Sequence, residues 1–157
     1  MMASRSTTET SMGGYRFLLG VAGVTLLMGL AMVLLPGVTL QAFGLMIYRD
    51  AAAMPAQFSP EAVRYIQLVH AVLGATIVGW AVLIGGVVVG ALRRGESRAL
   101  LWLTASIAAW FVPDTAYSLI SGYWQNAVFN LLFAAAFGVA LWQGARRRTP
   151  AMSRSER

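Results

Sequence analysis

Forty-seven consecutive residues, 99–145, carry one charged side chain, Asp114. A stretch of that kind is too long for one membrane crossing and right for two, because about 20 apolar residues span ~30 Å of hydrocarbon. The break falls at Ser121-Gly122-Tyr123-Trp124-Gln125-Asn126, where Gly, Tyr and Trp suit a turn at the membrane interface. Helices are expected over 99–120 and 124–145. A second uncharged stretch covers residues 17–48. Its first part, 17–35, is long enough to cross, and Pro36-Gly37 ends it. A cleaved leader competes with this expectation, since Arg16 precedes the apolar stretch. The stretch is too long for such a leader, however, and no small-x-small cleavage site follows it promptly, so a retained helix is expected.

The remaining crossing is expected over 61–92. Ser59-Pro60-Glu61 has the chemistry of a helix start: Ser59 can cap free N–H groups, Pro60 suits the first turn, and Glu61 complements the positive end of the dipole. Arg93-Arg94-Gly95 ends this helix. Arg98 opens the next after a loop so short that the two helices are expected to be antiparallel neighbours. Between the first two crossings, residues 37–60 form the outer loop. Within it, residues 38–48 are apolar enough to lie along the interface as a short helix, and Arg49, Asp50, Pro55 and Gln57 read as loop.

The fold class is therefore all-α, a four-helix transmembrane bundle in one membrane domain over 17–145. It is flanked by an N-terminal tail, 1–16, and a basic C-terminal tail, 146–157. Composition agrees: 58% of residues are hydrophobic and 11% charged, against ~25% charged in soluble domains. All twelve basic residues are Arg, against six acids. Placing both termini in the cytoplasm puts ten Arg inside and only Arg49 and Arg64 outside, a strong positive-inside asymmetry. The expected location is thus the inner (cytoplasmic) membrane, with the lipid bilayer as the principal partner. Because the Arg residues sit at the ends of apolar segments rather than along a groove, nucleic acid is not an expected partner. Small residues four apart (Ala75/Gly79, Gly86/Gly90, Ala105/Ala109, Ala134/Gly138) can bring helices close, within the chain or in a homo-oligomer or with a membrane partner protein.

Chemistry has few places to reside. The chain has no Cys and one His, so a metal site would need carboxylates from several helices, and neither a metal nor another cofactor is expected. No nucleotide loop, zinc-protease helix or nucleophile elbow occurs. Asp114 stands out because a carboxylate at membrane depth costs about 2.5–3.5 kcal/mol and must be protonated, paired or hydrated. Counting 1.5 Å per residue from Arg98 places it roughly 24 Å from the inner edge, in the outer third of the membrane. Asn130 falls at a similar depth on the last helix, with Asn126 one turn above it and Ser118 one turn above Asp114. Tyr117 and His70 complete a candidate polar cluster facing the outer side. Pro113 also leaves the Ala109 carbonyl without its helical donor at nearly the same level.

Residues 110–130, with Pro-Asp-Thr at 113–115 and Gly-Tyr-Trp-Gln-Asn-Ala at 122–127, together with Arg-Tyr-Ile-Gln-Leu-Val-His at 64–70, resemble the DoxX-like and BphX-like groups. These are small bacterial four-helix membrane proteins of unassigned activity. The resemblance covers roughly 17–145 and implies the fold. Some members are associated with redox or aromatic-degradation systems, and no catalytic residue carries over. Three functions follow as expectations. The first is a non-catalytic accessory subunit or binder of lipid-like molecules. The second is a proton-coupled transporter or channel, working as an oligomer through Asp114. The third is a small intramembrane isomerase or quinone-linked enzyme.

Overall fold

The computed structural model describes residues 5–94 and 96–145, and every element among them is a helix. In chain order these are α1 (Arg5–Leu34), α2 (Pro36–Tyr48), α3 (Ala53–Gln57), α4 (Pro60–Val87) continued by a π-helical segment (Val88–Leu92), α5 (Ser97–Ile120) and α6 (Trp124–Ala145). Four are long and apolar enough to cross a membrane: Gly14–Leu34, Pro60–Leu92, Arg98–Ile120 and Trp124–Gln143. All four expected crossings are present. The first helix begins earlier than expected, running back to Arg5 through residues assigned to the tail. The C-terminal tail from 146 onward lies outside the described residues.

Local chemistry accounts for the ends. Ser59 caps α4, its hydroxyl accepting from the Ala62 N–H at 3.2 Å, with Pro60 in the first turn. Glu61 and Arg64 pair at 3.1 Å on the exposed first turn. The α5–α6 turn depends on Gly122, whose φ of +80° is strained for any side chain and open to glycine. Pro36 starts α2, which ends where Arg49 takes a left-handed conformation. Asp50 then accepts the Ala52 N–H at 2.9 Å. The stretch expected to be plain loop, with Pro55 in it, contains the helix α3. Its proline falls in the first turn, where no backbone donor is needed.

The helices do not pack in simple chain order. α1 lies against α4, α5 against α6, and α1 also reaches α6, while α4 and α5 barely approach each other. The short loop does make the two legs neighbours where they meet: the π segment packs on α5, and Ile84 of α4 joins Leu103 and Ile107 of α5 in the core. A loop of a few residues fixes where two helices meet, not how far they diverge beyond it. At the π segment the Arg93 N–H reaches back five residues to the Val88 carbonyl at 3.2 Å, and the Leu92 carbonyl accepts the Tyr15 hydroxyl of α1 at 3.4 Å.

The core gathers at this closed end. Leu18 and Ala22 of α1, Ile84, Val88 and Leu92 of the α4 leg, Leu103 and Ile107 of α5, and Phe137, Ala140 and Leu141 of α6 form one buried cluster. The closest helix approach lies further along, where Gly29 of α1 meets Gly74 of α4 and each carbonyl occupies the space a Cβ would need on the other. Of the small residues singled out by spacing, Gly79, Gly86 and Gly138 face open space instead. Toward the opposite end the long helices spread, and α2 packs across α4, α1 and α6.

Candidate functional site

Divergence of α4 from α5, roofed by α2, leaves a cavity of about 790 Å³. That volume lies within the ~300–1,000 Å³ typical of small-molecule sites. Every helix longer than ten residues contributes to its wall. From α1 come Met28 and Met32, from α2 Val38, Ala42, Phe43 and Met46, and from α4 Leu73, Ile77 and Trp80. Trp110 and Asp114 come from α5, and Asn126, Phe129, Asn130 and Phe133 from α6. The α2 contribution follows from its sequence. Residues 38, 42 and 46 recur at one-turn spacing and, with Thr39 and Phe43 beside them, put one face on the cavity.

The end toward the buried core is lined by aromatic side chains. Trp80 stands with its ring centroid 5.8 Å from both Trp110 and Phe137, and its indole N–H donates to the Ser106 hydroxyl at 2.8 Å. This bond links α4 to α5 where their backbones have already parted. Trp80 and Trp110 pack on each other and both also line the cavity.

The polar end is built from α5 and α6. One oxygen of the Asp114 carboxylate (Oδ1) accepts from the Asn126 amide at 3.0 Å and from the Ser118 hydroxyl at 3.3 Å. The single Ser118 hydrogen is shared with the Asp114 carbonyl, the nearer acceptor at 2.7 Å, and the hydroxyl oxygen accepts from the Asn126 amide at 2.8 Å. The Asn126 nitrogen thus faces two acceptors, and its carboxamide orientation is fixed, since its oxygen could not face the carboxylate. Asn126 also lies in the first turn of α6, whose dipole favours negative charge. Among the described residues no Arg pairs with Asp114, the ion pairs being Arg64–Glu61 and Arg94–Glu96.

Of the six residues expected to cluster, three come together and three go separate ways. Asp114, Ser118 and Asn126 are joined directly. Asn130, 2% exposed, lines the cavity but turns to Thr115, donating to its hydroxyl at 3.4 Å. Four residues advance a helix by about 400°, so Asn130 is rotated some 40° from Asn126 and meets the neighbouring position on α5. Tyr117 is 73% exposed and faces away from the network. His70 stacks on Phe43 of α2, with ring centroids 4.7 Å apart and planes 19° from parallel. Its Nδ1 is buried without a hydrogen-bond partner. It thus braces the α2 roof from behind a cavity-lining ring and does not join Asp114.

Depth counting put Asp114 level with Asn130, and Ser118 and Asn126 together one turn above, but could not find the roof. Phe43, Ala42 and Met46 belong to the site only because α2 folds back over the helices. A second link secures that roof: Gln125 at the start of α6 donates to the Ile47 carbonyl at 3.3 Å. Among the described residues no group of three or more His, Asp or Glu is placed to hold a metal ion. No protein-family model, curated protein or solved structure matches this chain.

Proposed function

We propose that this chain is a non-catalytic protein of the cytoplasmic membrane that binds an amphiphilic, lipid-like small molecule between its helices. The supporting observation is the division of the 790 Å³ cavity into a long apolar wall and a polar end at Asp114, Asn126 and Asn130. A molecule with one polar head and an apolar body matches that division. An apolar wall surrounds most of such a ligand, while a few placed polar groups orient it. Both termini are assigned to the cytoplasm by the Arg asymmetry. The DoxX-like and BphX-like resemblance is consistent with this assignment and adds no site residue.

The alternatives require Asp114 to exchange a proton or bind an ion during turnover. Its Oδ1 instead accepts from the Asn126 amide and shares the Ser118 hydrogen with the backbone carbonyl, an arrangement suited to a fixed acceptor that orients a ligand. The test is extraction of the purified protein with organic solvent and mass spectrometry of what it carries. A defined amphiphile should co-purify with the wild-type chain and be lost from Ala109→Trp, which places a bulky ring on the cavity wall. Equal recovery of the same molecules from both proteins would refute binding at this site.

A further inference from the structure

We infer that the polar head of the molecule bound in this cavity is a protonated amine, with Asp114 as its counter-ion. This inference rests on the binding function proposed above and specifies the ligand class.

Around Asp114 the head-end of the cavity is rich in acceptors. The Asn126 amide nitrogen already donates to Asp114 and Ser118. The Ser118 hydroxyl gives its hydrogen back to Asp114. Unspent acceptors remain on the same wall: the second Asp114 oxygen, the Asn126 carboxamide oxygen and the Ala109 carbonyl. The last is free because Pro113, four residues on, has no N–H. Ala109, Asp114 and Asn126 all border the cavity. A carboxylate or phosphate head would bring more acceptors against these and face repulsion from Asp114. A hydroxyl would offer one hydrogen to several acceptors, whereas an ammonium group carries up to three donors and the missing positive charge.

Electrostatics select in the same direction. Asp114 is the only formally charged residue on the cavity wall, and no described Arg neutralises it. In a low-dielectric site an incoming ammonium makes a charge-assisted hydrogen bond, stronger than a neutral one. Trp110 lies one turn from Asp114 on the same face of α5 and also borders the cavity. Its ring face attracts a cation. The same chemistry could come from a free lipophilic amine or from the ethanolamine head of a membrane lipid.

The experiment uses the full chain in phosphatidylcholine nanodiscs and three probes with one chain length: dodecylamine, dodecanol and dodecanoate. Binding is taken as the excess over Ala109→Trp discs, which removes simple partitioning into lipid. Dodecylamine should bind most tightly, dodecanol less and dodecanoate least. Asp114→Asn should weaken dodecylamine about tenfold or more and leave dodecanol within about twofold, since no full charge is lost from its contact. Dodecylamine binding no tighter than dodecanol, or Asp114→Asn weakening both equally, would overturn the inference while leaving the cavity as a binding site. If none of the probes exceeds the blocked variant, the binding function itself fails. The probe order needs only the wild-type chain, so it stands even if Asp114→Asn does not fold. Phosphatidylethanolamine added to the discs then identifies the source. Competition with dodecylamine assigns the lipid head, and its absence assigns a free amine.

Discussion

Replacing Gly74 with Ala should loosen the α1–α4 contact and with it one wall of the cavity. A Cβ at position 74 would stand 2.6 Å from both the Gly29 carbonyl oxygen and the Met32 Cβ. Neither is the end of a flexible side chain, so relief must come from moving backbone. Going from 2.6 Å to the 3.4 Å of ordinary contact means separating the helices by about 0.8 Å, and a gap of that size forfeits roughly a quarter to a half of each van der Waals attraction across it. Such attraction, with hydrogen bonding, holds helices together in lipid, where burial from water contributes little. The expected cost is about 1–3 kcal/mol, the usual range for overpacking. In dodecyl maltoside this should lower the thermal midpoint, followed by circular dichroism, by roughly 3–10 °C. Gly79→Ala is the control, because nothing lies within 4 Å of its added Cβ. Gly29→Ala meets the Gly74 carbonyl at 2.7 Å. Combined with Gly74→Ala it should cost less than the two changes separately, since one displacement relieves both. A Gly74→Ala protein that melts with Gly79→Ala and the wild type would refute this account of the interface.

Other substitutions probe other parts of the molecule. Phe137, fully buried beside Trp80, should cost about 3–5 kcal/mol when changed to Ala; a denaturation midpoint close to wild type would show that the closed end is not the core. Trp80→Phe keeps most of the ring but removes the 2.8 Å bond to Ser106. It should destabilise by ~0.6–1.7 kcal/mol in the membrane, and Ser106→Ala in the Trp80→Phe background should add little in a double-mutant cycle. Ser118→Ala leaves one Asn126 N–H without its acceptor and removes a donor from Asp114. A loss of about 1–2 kcal/mol is expected, read by thermal unfolding, with no loss contradicting a cooperative network. A fluorescent protein fused at the C-terminus should be bright and a periplasmic phosphatase there inactive; the reverse pair of results would invert the proposed topology.

How far the sequence could be read depended on which physical signal was involved. Spacing of charge along the chain located every crossing, because lipid excludes charge over a fixed thickness and leaves a one-dimensional record of it. Turn and cap chemistry at Ser59, Pro60 and Gly122 located the ends, because it acts within a few residues. Depth counting placed Asp114 within a turn of Ser118, Asn126 and Asn130 for the same reason: a helix rises by a constant amount per residue. Rotation and lateral order were not recorded in this way. Side chains at similar depth can face in different directions, so Asn126 took the place expected for Asn130, Tyr117 turned outward, and His70 joined Phe43. Small-residue spacing indicated that helices could approach closely, but Gly29 and Gly74 lie on different helices and no local pattern pairs them. The cavity itself is a tertiary product. It exists because α4 packs on α1 while α5 packs on α6, leaving the two chain neighbours apart. The sequence by itself determined four crossings and a carboxylate at a known depth. Only the packing of the helices decided that the carboxylate would line a roofed apolar chamber, because that depends on contacts between residues far apart in the chain.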